Sequence, residues 1–229
     1  MTPLVLIPGM MCDARMWGGL AAQLAPRPVG HYVPTIADTM AALAADLLRH
    51  APPRFALAGL SMGGILAMEV VRQAPERVDR LALLDTNPCA EAPEVQAKRQ
   101  AQINRALSGR LAEVIKTEMK PNYLAPGPDK RAILDLCLDM ALRLGPDTFA
   151  RQSRALRDRP DQQATLAAYD GPALVLMGVQ DRLCPLARHQ LMHRLLAHSR
   201  LSLIAGAAHL PPLENPIDTY ADLIRWLED

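Results

Sequence analysis

Six short apolar runs, residues 4–7, 31–35, 55–58, 81–84, 173–177 and 201–204, are separated by longer stretches in which apolar side chains return every three or four positions. Runs that are apolar throughout, rather than alternating, belong to strands buried on both faces. Their alternation with helical segments is the pattern of a parallel sheet covered on both sides by helices. The expected architecture is therefore α/β, with a mostly parallel sheet of about six strands. With 229 residues, half of them apolar, the chain is long enough to bury one full core.

Between the runs, Ile36, Met40, Leu43 and Leu47 keep helical spacing, with Asp38 or Thr39 as the cap. Residues 65–74 read as a buried helix stopped at Pro75, and Pro216 opens a last helix with Tyr220, Leu223, Ile224 and Leu227 on one face. From Thr86 to about Tyr169 the strand rhythm stops. Amphipathic segments follow one another there, punctuated by Pro121, Pro126, Pro128, Gly145 and Pro146. The expected organisation is a core of residues 1–85 and 170–229 with residues 86–169 inserted as a helical cap. Residues 86–160 carry 13 Lys or Arg against 9 Asp or Glu, whereas the whole chain is nearly balanced. A solvated helical surface accounts for this surplus, and attraction of an anionic substrate or carrier is the weaker reading.

A net charge of +1 and few aromatics leave no basic, aromatic-interleaved face for nucleic acid. Cys12, Cys89, Cys137 and Cys184 are scattered without CxxC spacing, so neither a zinc site nor a disulfide framework is expected. The apolar start, MTPLVLIPGMM, has no basic n-region, and no run approaches the roughly 18 apolar residues of a membrane span. A soluble, cytoplasmic protein without a membrane partner is the expectation. The sequence carries no signal for an oligomeric state.

The stretch ALAGLSMGGILAMEV, residues 56–70, sets one serine between glycines where a buried strand meets a buried helix. Gly59-Leu60-Ser61-Met62-Gly63 fits GxSxG, whose sharp turn lifts a serine hydroxyl above the sheet and needs small neighbours. A serine hydroxyl is a weak nucleophile, so it needs a base, and the base needs an acid to fix its tautomer. Asp181 and His209 each follow a strand, and reacting groups gather beyond the carboxyl ends of parallel strands. Ser61, Asp181 and His209 are thus the expected catalytic trio. Asp85, which also ends a strand, rivals Asp181, while Asp13 and Asp170 have weaker claims. His31, His50, His189, His193 and His198 read as surface or packing residues. The backbone N–H groups of Met62, directly after the nucleophile, and Met10, beyond Gly9, are the expected oxyanion donors. The side chains of Met10, Met62 and Met11 are expected to contact substrate.

On the stretches LVLIPGMMCDARMW, AGLSMGG, APERVDRLALLDT, ALVLMGVQDRLCP and GAAHLPPLENP, the chain resembles the α/β-hydrolase superfamily. The likeness is greatest to small cap-bearing esterases related to pimeloyl-carrier-protein methyl ester esterases and enol-lactone hydrolases. It implies the same roles for Ser61, Asp181, His209, Met10 and Met62, a small-molecule ester substrate, and neither cofactor nor metal. Three departures stand out. Pro8 replaces the usual histidine before the oxyanion glycine, two antiparallel strands that commonly precede the first motif are missing, and so is a glycine-bearing segment after the second strand. A trimmed sheet is expected. The alternative function is a cofactor-free lyase or synthase that uses the trio as a base.

Overall fold

The computed structural model describes residues 1–119 and 123–229, and Pro121, one of the expected helix breaks, lies outside them. Its strands are β1 (Leu4–Ile7), β2 (Val29–His31), β3 (Phe55–Leu60), β4 (Val78–Leu84), β5 (Ala173–Gly178) and β6 (Ser199–Ile204). They form one all-parallel sheet in the order β2-β1-β3-β4-β5-β6. The helices are α1 (Leu20–Gln23), α2 (Met40–His50), α3 (Met62–Gln73), α4 (Pro93–Arg105), α5 (Leu111–Val114), α6 (Lys130–Arg157), α7 (Gln163–Ala168), α8 (Leu186–Leu195), α9 (Pro211–Glu214) and α10 (Pro216–Glu228).

Side chains alternate across a strand, so the sheet divides its apolar residues between two cores. Val5, Ile7, Leu57, Leu81, Leu83 and Val175 join Leu43, Leu47, Leu66, Val70 and Met192 on one face. Leu4, Leu6, Ala58, Leu84 and Leu176 join Trp17, Leu20, Tyr220, Leu223 and Trp226 on the other. Each fully buried large side chain stabilises the fold by about 1.5–3 kcal/mol before entropy is counted. Burial on both faces describes β1, β3 and β5 throughout, but it fails at the two sheet edges. With no strand beyond them, β2 leaves Gly30 and His31 exposed and β6 leaves Leu203 half out.

The second strand lies earlier than expected, at Val29–His31 instead of 31–35. Its pairing with β1 ends with the Tyr32 N–H on the Leu6 carbonyl at 3.0 Å, and Pro34 has no N–H with which to continue. Ile36 lies outside α2 and is largely exposed, because Thr39 is the cap, its hydroxyl accepting from the Ala42 N–H at 3.2 Å. Helix α3 begins at Met62, three residues before the expected start, and α10 opens at Pro216 with Ile224 only half-buried.

Between β4 and β5 the described residues hold helices and no strand. Helix α6 is broken at Gly145, whose φ of 80° lies in the left-handed region, directly before Pro146. Met11, Ile103, Leu111, Val114, Ile115 and Phe149 make a third apolar cluster set off from the two sheet cores. Other parts of this segment join the sheet cores, Leu124, Ile133 and Met140 the second and Leu156, Leu166 and Tyr169 the first.

Candidate active site

The turn from β3 into α3 holds Ser61 at φ 54° and ψ −116°, a backbone state that L-residues rarely occupy. The strain is held by its surroundings. The Ser61 N–H donates to the Leu84 carbonyl at 2.9 Å, and the Ser61 carbonyl accepts from the Thr86 hydroxyl at 2.8 Å and from the Gly64 and Ile65 N–H groups. A Cβ on Gly59 would lie 2.2 Å from the Gly63 carbonyl oxygen, and one on Gly63 would lie 2.1 Å from that of Ile7. Both clashes would be with backbone atoms, which cannot swing aside as a side chain can, so only glycine fits at either flank.

Ser61 Oγ lies 2.9 Å from His209 Nε2, and His209 Nδ1 lies 2.9 Å from Asp181 Oδ2. An ionised carboxylate only accepts, so the Nδ1 proton points at Asp181 and Nε2 is left to accept from the serine hydroxyl. The other oxygen of Asp181 accepts from the Leu183 and Cys184 N–H groups at 2.8 and 3.2 Å. Burial pushes Asp181 up, but the imidazole and these two amides outweigh it and hold its carboxyl below the ordinary value. The three side chains come from the ends of β3, β5 and β6, on one edge of the sheet.

Asp85 does not touch His209; it sits behind Asp181. It is fully buried at φ 43°, with Oδ1 accepting from the Gly178 N–H at 3.0 Å and Oδ2 without a partner. Burial first, and the neighbouring Asp181 charge second, hold its carboxyl well above the ordinary range. The two neighbouring carboxyls are thus shifted in opposite directions, Asp85 up and Asp181 down. His189 is buried too, and desolvation lowers it to about 4, so it packs as a neutral ring. Ligand atoms of Asp181, Cys184 and His209 lie within 4.8 Å of one another. Two of the three are already committed to the hydrogen-bonded chain, and burial pushes the Cys184 thiol well up, which keeps it protonated.

The loop after β1 brings Met10 to the serine and carries Met11 elsewhere. Met11 has φ 56°, and its N–H donates to Gln152 Oε1 at 2.8 Å. Gln152 Nε2 in turn donates to the Pro34 carbonyl at 2.8 Å, so one buried amide on α6 ties together the loops after β1 and β2. The Met11 side chain is buried in the third cluster, among Ile103, Leu111 and Val114. It does not line the cavity above Ser61, contrary to its expected substrate contact, because the left-handed turn at this position sends it toward the helices. Met62 is the first residue of α3, so its N–H has no carbonyl one turn earlier to bond.

Glu214 supports the imidazole in a way that sequence reasoning missed. Its carboxylate accepts from the N–H groups of Ala208 and Leu210, on either side of His209, at 3.0 and 2.9 Å, and from Ala125 at 2.7 Å. Burial raises its carboxyl despite these three donors. The His209 N–H donates to the Tyr123 carbonyl at 2.9 Å, and the two rings lie 5.7 Å apart. A lone glutamate in LPPLENP gives no sign of this role, nor does Gln152 in its helix.

The family model described as Alpha/beta hydrolase family matches residues 4–223. The chain belongs to the alpha/beta hydrolase family. This hydrolase is 29% identical over 230 residues to the biotin biosynthesis bifunctional protein BioHC of Cellvibrio japonicus, a match covering 90% of this chain and 43% of that protein. The chain thus spans less than half of the bifunctional relative. It is 27% identical over 232 residues to the pimeloyl-(acyl-carrier protein) methyl ester esterase of Pectobacterium carotovorum, covering 94% of this chain and 90% of the relative. Among solved structures, a thermophilic esterase from Thermogutta terrifontis, malate bound, has a TM-score of 0.91 at 27% identity over 100% of this chain and 90% of that one. The enol-lactonase from Burkholderia xenovorans shares the fold, with a TM-score of 0.87 at 20% identity over 100% and 92% of the two chains.

In this hydrolase a cavity of about 320 Å³ opens over Ser61 and His209. Met10, Met62, Ile65, Leu156 and Leu183 form its apolar walls, and Cys184 lies in the wall beside the imidazole. The segment between β4 and β5 contributes charged groups, Glu91, Arg99, Glu118 and Arg159, of which Glu91 and Arg159 lie just outside helices. None of these four side chains figured among the expected site residues, because a helix surface rich in Arg and Glu reads as solvated.

Proposed function

We propose that the chain hydrolyses small carboxylic esters through an acyl-enzyme on Ser61. The observation that carries the reading is the unbroken chain of two 2.9 Å contacts from Ser61 Oγ through the His209 ring to Asp181. Ser61 Oγ attacks the carbonyl carbon as its proton passes to His209 Nε2, and Asp181 stabilises the imidazolium. The N–H groups of Met10 and Met62 hold the oxyanion, where each such donor is worth roughly 100- to 1000-fold in rate. Collapse expels the alcohol, which takes the proton back from His209. Water then attacks the acyl-enzyme along the same path, with His209 as base, and frees Ser61 and the acid. No step calls on a metal or cofactor. Residues 86–169 act as the cap that shapes the pocket, and the natural setting is the cytoplasm. Among the described residues no helix is long and apolar enough to cross a membrane.

Ser61→Ala is expected to lower hydrolysis of a short p-nitrophenyl ester by on the order of 10⁴-fold or more and to abolish labelling by a fluorophosphonate. Turnover in ¹⁸O water is expected to put label in the acid product. Wild-type protein that neither cleaves the ester nor takes the probe would refute the reading. Turnover without label in the product would favour a lyase or synthase reaction instead.

A further inference from the structure

The wall of the cavity over Ser61 gathers two arginines onto one glutamate. Four charged residues lie in its wall: Glu91, Arg99, Glu118 and Arg159. Glu118 is taken by Arg105, from outside the wall, and by Gln102. That leaves two guanidinium groups on one carboxylate. Arg99 donates to Glu91 Oε2 through Nε at 2.8 Å and also through Nη2, and Arg159 Nη1 reaches the same oxygen at 2.9 Å. The three side chains are withdrawn from solvent, at 13% exposure for Arg99, 7% for Glu91 and 6% for Arg159.

A buried charge is expensive unless compensated, and one glutamate, although both arginines reach it, neutralises only one of them. Arg159 is held in place by backbone, with Nε on the Cys89 carbonyl at 3.0 Å and Nη1 on that of Leu156 at 3.4 Å. Among the described residues, neither Arg159 Nη2 nor Arg99 Nη1 has an acceptor, although both residues line the cavity. Surface pairing does not explain such an arrangement, whereas an anion entering with the substrate does. Guanidinium edges match the planar, two-oxygen face of a carboxylate. The walls nearer Ser61 are apolar, which suits a short hydrocarbon spacer.

We infer that Arg99 and Arg159 form a carboxylate subsite, so that the ester cleaved at Ser61 carries a second, free carboxylate remote from the scissile bond. This rests on the esterase reading above. The carboxylate sits either on the acyl side, as in a half-ester of a dicarboxylic acid, or on the alcohol side, as in an acylated hydroxy acid.

The test compares kcat/KM of the wild type on monomethyl esters of four- to seven-carbon dicarboxylic acids, on O-acetyl hydroxy acids, and on uncharged methyl esters of matched length. One charged series is expected to exceed the uncharged one by roughly 10- to 100-fold, the worth of one or two hydrogen bonds to a charged group. Which series does so assigns the side. Arg159→Gln is expected to collapse that ratio, chiefly through KM, and Arg159→Lys to restore part of it. Arg131→Gln, on the solvent face of α6, is expected to keep the wild-type ratio. As a measurement free of any variant, glutarate or adipate is expected to inhibit p-nitrophenyl acetate hydrolysis competitively, with a Ki at least about tenfold below that of the matching diol. Equal or faster turnover of uncharged esters, or equal inhibition by diacid and diol, overturns the subsite while fluorophosphonate labelling of Ser61 leaves the esterase reading standing. Absence of both labelling and turnover fails the esterase reading, and the subsite with it.

Discussion

The two halves of the cavity are built by different means. Below, the hydrogen-bonded trio stands on strand ends, and bonds to main chain fix it: Ser61 through Leu84 and Thr86, Asp181 through the Leu183 and Cys184 amides, His209 through Tyr123 and the Glu214 cradle. Above, the segment between β4 and β5 reaches the same space with long side chains: Arg99 and Arg159 meet on Glu91, and among the described residues only Arg159 also bonds main chain, at the Cys89 and Leu156 carbonyls. Backbone placement leaves little freedom and serves chemistry that must keep its geometry within a fraction of an ångström. Side-chain placement adapts easily, and it serves recognition. Changes below should therefore remove turnover or folding, whereas changes above should alter which ester is preferred or have no effect.

The strongest way to break this contrast is Gly63→Ala. The added methyl would meet the Ile7 carbonyl oxygen at 2.1 Å, so the elbow must shift. Expected are a loss of about 3 kcal/mol or more in chemical denaturation and near-complete loss of esterase activity. Normal stability and turnover would show that the turn is not rigidly placed. Next comes Glu214→Gln, which sets an amide donor against amides that now find an acceptor. A fall in kcat of about 10- to 100-fold with little change in KM is expected, because His209 loses its support while the pocket keeps its shape. A change confined to KM would place Glu214 in substrate binding instead.

Asp85→Asn sharpens the comparison through pH. Asp85 binds its proton more tightly folded than unfolded, so its contribution to stability falls as pH rises from the ordinary carboxylate range toward its raised folded value. Asp181 has the opposite sign: its contribution is present above the ordinary value and is lost as pH falls through the lowered folded one. Asparagine keeps the acceptor for the Gly178 N–H and removes only the first dependence. The variant should gain on the order of 1 kcal/mol over wild type near neutral pH and lose that advantage near pH 4, as read by melting temperature. A constant offset at both pH values would mean Asp85 does not titrate in this way. Smallest of all is Arg143→Ala. Its ion pair with Asp139 on the outer face of α6 is exposed, and less than about 0.5 kcal/mol is expected from a denaturation midpoint.

The lower half was largely legible in the sequence because its determinants are local. Glycines at 59 and 63 mark the turn, and an acid and a histidine directly after apolar runs mark two further strand ends. Asp85 and Asp181 looked like rivals for one role because both follow strands. In space they are neighbours, Asp181 hydrogen-bonded to His209 and Asp85 buried behind it with its carboxyl pushed up. The second strand is shifted to Val29–His31 from the expected 31–35 because an edge strand needs no continuous apolar run to mark its bounds. Gln152, Glu214 and the Glu91–Arg99–Arg159 cluster were illegible for a related reason. Gln152 meets Met11 and Pro34, and Arg159 meets Glu91, across long stretches of chain, while Glu214 meets nearby main-chain amides that no side-chain pattern announces. Met11 illustrates the limit within a single loop, where one left-handed residue decides whether a side chain meets the substrate or the helices.

Cys184 has a practical consequence for anyone assigning chemistry with covalent reagents. Cys184 and Ser61 line the same cavity, so a maleimide or iodoacetamide adduct there would plug the chamber and silence the enzyme. Loss of turnover after alkylation would then report obstruction, not a thiol nucleophile. The slow modification expected of a thiol kept protonated by burial would be its kinetic signature.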